Sequence, residues 1–258
     1  GGLGESSVQG TVNPSFNLSA GLDPNAVALP IARTGGVTTG LIVPNGPFIR
    51  GQAVAIDLAG ATAAEMVAVG SAALSINLTD GSKAAGGGAR AGTIAYLERL
   101  FADAVDYNTR KLAYRRGATN ELSAPAAELE ALLPALQGRL PVIISANRKI
   151  DIENALGLAR KYRLKMILEG AVEGWQTAAA IAKAGVPVIL APNTDIPSFD
   201  GLGARLDNAT LLREAGVKVI IAQGDPGGER NLRFGAGNAV RNGMSWDDAF
   251  KAVTVWPA

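Results

Sequence analysis

Along this chain, short aliphatic runs alternate with stretches in which apolar residues return every three or four positions, and from Leu140 onward the two alternate as a repeating unit. Pro141–Ala146 (PVIISA), Lys165–Glu169 (KMILE), Val186–Ala191 (VPVILA) and Val217–Ala222 (VKVIIA) are apolar enough to be strands covered on both faces. Their separation of about 20 to 30 residues is that of successive βα units. Between them Ile152, Ala155, Leu156 and Ala159 recur at i, i+3, i+4 and i+7, as do Trp175, Ala178, Ala179 and Ala182, which predicts helices with one apolar stripe each. Ala184-Gly185-Val186 and Ala215-Gly216-Val217 are near copies, each placing a glycine where a helix must cap and turn into the next strand.

The first half is less regular. Val37–Pro44, Gln52–Leu58 and Leu74–Leu78 read as strands between Gly, Pro and Asn turns. A long helix is predicted from about Arg90 to Arg116, with Ile94, Leu97, Phe101, Val105 and Leu112 on one stripe. A polar linker, Ala118–Ser123, leads to a helix over Pro125–Leu136, with the proline at its first position. Strand and helix alternating over this length predict an α/β fold, a (β/α)8 TIM-type barrel incomplete at both ends, with an open doubly wound sheet as the alternative. Residues 1–258 are expected to form a single domain.

Composition narrows the chemistry. The chain has no histidine and no cysteine, so the nitrogen and sulfur ligands zinc prefers are absent, and any activity must rest on carboxylates, hydroxyls, amides, Lys and Arg. A serine or cysteine nucleophile paired with an imidazole base is excluded on the same ground. A net charge of +1 and scattered basic residues leave no electrostatic footprint for nucleic acid or a membrane surface. No apolar run approaches the roughly 20 residues that cross a bilayer. Small molecules are the expected partners, and association into a homo-oligomer is left open. With no cysteine the redox compartment is left open too, periplasm or cytoplasm. The chain starts at Gly1-Gly2 and stops at Pro257-Ala258, which reads as an internal piece of a longer protein.

In a barrel of this kind the working face lies just beyond the C-terminal ends of the strands. Those positions hold Ser145 and Asn147, Glu169 and Glu173, Asn193 and Asp195, and Asp225. Polar strand ends are ordinary, so each has a structural reading as well. Asp225 follows a buried run and precedes Pro226-Gly227-Gly228, a turn that aims a carboxylate into the mouth or that the aspartate simply initiates. Arg205 is either an anion binder or half of a surface ion pair, and Asp207 reads as a helix cap. Gly86-Gly87-Gly88 before Arg90 lacks the phosphate-loop Lys-Ser/Thr and reads as a flexible loop.

Several stretches in order resemble the metal-dependent amidohydrolase superfamily, nearest its imidazolonepropionase-like branch. They are ALPIARTGGVTTGLIV (Ala28–Val43), GQAVAIDL (Gly51–Leu58), Leu140–Ala159, AVEGWQTAAAIAKAGVPVILAP (Ala171–Pro192), Leu202–Val219 and GNAVRNGMSWDDAFKAVTVWPA (Gly237–Ala258). The last is the most specific, with its Gly-x-Ser helix start and Lys-Ala-x-Thr-x-x-Pro-Ala ending. The resemblance implies a (β/α)8 barrel, one or two divalent metals and hydrolysis of C–N bonds in cyclic amides and dipeptides. It also implies a flanking small β-domain that this chain does not contain. By position Ser145 stands at the histidine after the fifth strand, Glu169 or Gly170 near the one after the sixth, and Asp225 on the aspartate after the eighth. The His-x-His pair falls at or before Gly2-Leu3-Gly4. Only the aspartate is kept, so zinc is not expected, and Asp225 with Glu169 offers at most a weak Mg²⁺ or Ca²⁺ site through oxygen.

Three readings follow. The first is an amidohydrolase-like hydrolase with Asp225 as the catalytic base, Ser145, Asn147 and Glu169 on the substrate, and Arg205 holding a substrate carboxylate. The second is a catalytically inactive barrel that binds a small molecule or a protein partner. The third is a piece whose preceding residues restore histidines to a partial metal site.

Overall fold

The computed structural model describes residues 8, 10–117, 121–193, 196–223 and 228–258. Ala28–Thr34 (α1) leads into Thr39–Ile42 (β1), followed by Ile49–Asp57 (β2), the single turn Ala63–Met66 (α2) and Val67–Asn77 (β3). Helices Arg90–Thr109 (α3), Lys111–Arg115 (α4) and Ala126–Leu136 (α5) precede Val142–Ala146 (β4). The regular half then runs Lys149–Tyr162 (α6), Met166–Gly170 (β5), Ala178–Ala184 (α7), Val188–Leu190 (β6), Asn208–Glu214 (α8), Val219–Ile221 (β7), Leu232–Arg241 (α9) and Trp246–Val253 (α10).

The seven strands form one sheet in chain order, curled into a half barrel. Strands β3 to β7 are parallel, as the spacing of the buried runs implies, because each pair is bridged by helical crossovers. Strands β1 to β3 instead form an antiparallel meander, whose short connections leave no room for a crossover. Helix α1 packs on the 3-10 turn Glu229–Asn231, so elements from the two ends of the strand series meet.

Alternation along the parallel strands divides the core in two. Leu74 and Ile76, Val142 and Ile144, Leu168, Val188 and Val219 point outward and are packed with α3, α5, α6 and α9 residues in the main core. The opposite face carries Ser75 and Asn77, Ile143 and Ser145, Ile167 and Glu169, then Ile189 and Ile220, in transverse register. Its upper row therefore reads Asn77, Ser145, Glu169, Ile189, Ile220 across five strands, polar on one side and aliphatic on the other.

Three helical expectations shift. The buried stripe of α3 is Leu97, Leu100, Phe101, Ala104 and Tyr107, while Val105 is 51% exposed. Steps of four residues advance 40° beyond a full turn, so the series Leu97, Phe101, Val105 drifts off the core. Leu112, 68% exposed, lies beyond Arg110, whose φ of −118° and ψ of 27° end the helix before α4 starts. In α7 the buried side chains are Ala178 and Ile181; Ala179 faces solvent and Trp175 sits in the preceding 3-10 turn, Gly174–Thr177. Pro125 is the residue before α5 and not its first. The paired glycine caps hold, with Gly185 at φ 65° and Gly216 at φ 92°.

Candidate functional site

The upper row is where the parallel strands end, and a residue from outside those strands completes it. Because β2 runs antiparallel to β3, its first residues lie beside the last residues of β3, at the mouth of the half barrel. Pairing steps from Ile49↔Ile76 to Gly51↔Ser75, so Arg50 is the extra residue of a β-bulge, free of the ladder and aimed by it. Gly51 makes the bulge possible: its φ is +119°, and a Cβ there would lie 2.6 Å from the Phe16 carbonyl oxygen.

Arg50 reaches across β3 to two of the sequence-predicted residues. Its Nη1 donates to Ser145 Oγ at 2.9 Å and to Glu169 Oε2 at 3.3 Å, and its Nε donates to the Gly46 carbonyl at 3.3 Å. Ser145 Oγ in turn donates to the same Glu169 oxygen. The Arg50 and Glu169 side chains are 12% and 30% exposed, and Ser145 is buried. A guanidinium, a hydroxyl and a carboxylate thus close a three-membered hydrogen-bonded ring at the ends of β4 and β5. Beside it Asn77, also buried, accepts from the Thr79 amide and hydroxyl and donates to the Pro47 carbonyl at 3.3 Å.

Asn147 takes a different direction. Its Nδ2 donates to Asp200 Oδ2 at 3.0 Å, and its side chain lies against Gly170, where a Cβ would sit 2.4 Å from Asn147 Oδ1. Gly170 has φ +86°, so both the space and the backbone require glycine as β5 leaves the sheet. Asp200 belongs to a charge cluster centred on Arg90, the first residue of α3, which meets Asp80 at 2.9 Å, Asp151 at 3.0 Å and Asp200 at 3.2 Å. Burial pushes the Asp151 carboxyl above the ordinary aspartate range, against the opposing pull of Arg90, while the Lys83 ammonium beside Asp80 holds that carboxyl below it. The cluster fastens the Asp200 loop to the starts of α3 and α6.

Glu173 binds backbone at both oxygens, accepting from the Lys149 amide at the start of α6 and from the Gly203 amide, each at 2.9 Å. It caps a helix and pins a loop. Arg205 pairs with Asp207 at 2.7 and 2.6 Å and lies 4.9 Å over the Trp175 ring, away from the Arg50–Ser145–Glu169 ring. Asp207 stands at the N-cap of α8, but its carboxylate holds Arg205 and does not cap the helix; that hydrogen bond lowers its pKa. Asn193 donates to Gln223 Oε1 at 3.3 Å, joining the exits of β6 and β7. In the glycine cluster only Gly86 is packed, since a Cβ on Gly92 of α3 would lie 2.0 Å from its oxygen, while Gly87 and Gly88 take φ of 70° and 90° in open space. Asp195, Asp225 and the Gly2-Leu3-Gly4 segment lie outside the described residues.

Sequence reasoning missed Arg50 and Asn208. Asn208 is fully buried behind β5, donating to the Ala171 carbonyl at 3.0 Å and accepting from the Trp175 amide at 2.9 Å. It braces Ala171, a non-glycine residue at φ 47° immediately after the strand that carries Glu169. Among the described residues no three His, Cys, Asp or Glu side chains converge as a metal site, and no helix is long and apolar enough to cross a membrane.

No protein-family model matches the chain, and neither does any curated protein. Among solved structures it is similar to the crystal structure of an amidohydrolase from Thermotoga maritima MSB8, with a TM-score of 0.85 and 23% identity over 96% of this chain and 67% of that one. The fold is therefore α/β, with seven strands among the described residues curled into a half barrel, consistent with an incomplete TIM-type barrel like that of the amidohydrolase.

Proposed function

We propose that this barrel binds a small molecule at its mouth without metal-dependent hydrolysis, the second of the readings drawn from the sequence. The observation that carries it is the Arg50–Ser145–Glu169 ring. In the superfamily that the chain resembles, a divalent ion is gripped at these strand ends. The residues present do not fit one: the chain has no imidazole or thiolate, and the single carboxylate of the upper row already faces a fixed guanidinium 3.3 Å away. The Ser145 hydroxyl already donates to Glu169 and accepts from Arg50, which fixes it as a polar group at the mouth. Neither zinc nor the weak Mg²⁺ or Ca²⁺ site through Glu169 and Asp225 enters this account.

The inner face of the half barrel offers what a small ligand uses, an aliphatic wall and a few fixed polar groups. Ile167, Ile189 and Ile220, each only half-buried, supply the wall, and Arg50, Ser145, Glu169 and Asn77 the polar groups. One row deeper the Ser75 hydroxyl is fully buried with no hydrogen-bond partner among the described residues, a position that a water or a ligand atom would satisfy. The superfamily's imidazolonepropionase-like branch suggests cyclic amides and dipeptides as the first compounds to try.

The test is a thermal-shift screen of such compounds run beside a turnover assay on the same panel. The expected result is saturable stabilisation by at least one compound, weakened by Arg50→Met, with no product formed. Turnover that disappears in Asp225→Asn or Glu169→Gln would establish the hydrolase reading in its place.

A further inference from the structure

We infer that the Arg50 guanidinium is the resident cation of the barrel mouth, standing in for a divalent metal and keeping one out. The inference rests on the reading of the site as metal-free and goes beyond it by naming the group responsible. Three observations converge. Arg50 reaches the mouth only through a β-bulge that its neighbour Gly51 sustains, so its placement is built into the backbone. Its Nη1 binds the side chains at the ends of two successive parallel strands, Ser145 and Glu169, bridging them as a shared ion would. Its side chain is 12% exposed, too shielded for solvent to screen its charge from a second cation beside it.

The consequence is specific: restoring a metal ligand to the row is not enough to restore metal binding while Arg50 remains. Full-length Ser145→His and Ser145→His/Arg50→Gln are loaded with zinc, dialysed, and read by elemental analysis, by calorimetric titration and by the zinc-induced change in Tm. The variant that keeps Arg50 is expected to emerge without zinc, and the double variant to bind at least ~100-fold more tightly, the scale of repulsion from a cation a few ångströms away in a partly buried site. Ser145→His/Arg50→Lys, which keeps the charge and loses the planar fork, is expected to exclude zinc as Arg50 does.

Equal zinc retention with and without Arg50 overturns the inference, as does a cooperatively melting double variant that takes none. Where the double variant does not melt cooperatively, the unaltered protein decides. Titrated with Zn²⁺ and Mn²⁺ to millimolar levels it is expected to show no saturable shift in Tm, and a saturable one-site shift overturns the proposal. Metal-free turnover of a substrate would end the binding reading and leave this inference standing; zinc seated beside Arg50 would end the inference.

Discussion

Asn208→Ala should cost about as much as truncating a large core side chain, although Asn208 touches none of the residues expected to bind a ligand. Its side chain makes two hydrogen bonds, to the Ala171 carbonyl at 3.0 Å and from the Trp175 amide at 2.9 Å, in a fully buried position. The Ala171 carbonyl keeps a second donor, the Gly174 amide at 2.7 Å, so its loss is one bond worth about 1 kcal/mol. The Trp175 amide loses its side-chain acceptor, and an orphaned buried donor costs about 1–3 kcal/mol. Together these give about 3 kcal/mol, before any relaxation at Ala171, whose φ of 47° is held by this brace. Urea denaturation at neutral pH reads the value directly, with m unchanged as the sign that only stability moved. Ala171→Gly in the same background should recover part of the loss, because glycine adopts that backbone without strain. A cost below about 1 kcal/mol for Asn208→Ala would refute the claim that the exit of β5 depends on it.

Gly170→Ala combines a φ of +86° with a Cβ 2.4 Å from Asn147 Oδ1, so it should cost about 2–4 kcal/mol and lower Tm by about 5–10 °C in a thermal melt. Arg163, at the C-cap of α6, takes φ 54° where the two later helices use glycine; Arg163→Gly should raise stability by about 0.5–1 kcal/mol in urea melts. Asp151 is pushed above its ordinary pKa by burial, so its titration favours the fold below the unfolded value and that contribution is lost as pH rises through the folded value. Asp151→Asn mimics the protonated form, and its penalty should be smaller at pH 7 than at pH 3; a larger penalty at pH 7 would show that the Arg90 pair outweighs burial.

The parallel half of the fold was legible because its strands are buried on both faces and read as continuous apolar runs. Pro141–Ala146 and Val217–Ala222 each contain the observed strand, and the echoed glycines mark true caps. The meander was less so. Val67–Asn77 extends seven residues ahead of the expected Leu74–Leu78 run because its first half, VAVGSAA, is a largely exposed hairpin arm whose apolar pattern is interrupted by Gly70-Ser71. That error carries into the site. With β2 expected to begin at Gln52 and the mouth sought only after strand ends, Arg50 had no reason to be singled out, since it enters at the start of an antiparallel strand. The Gly51 beside it was the available signal, a glycine inside a strand pattern that marks a bulge. Ser145 and Glu169 stand at strand ends, where position along the sequence alone places them, whereas the ring stack and ion pair that Arg205 makes within its own surroundings leave no trace in spacing.

Which cation fills the space against Ser145 and Glu169, whose side chains bond each other directly, decides between a metal centre and a metal-free mouth. A crystal of the unaltered protein soaked in zinc or manganese and measured at the metal's absorption edge examines that space directly. No anomalous peak is expected at the mouth, with the Arg50 guanidinium lying on Ser145 and Glu169. A metal ion bound to Glu169 with Arg50 displaced would contradict this expectation.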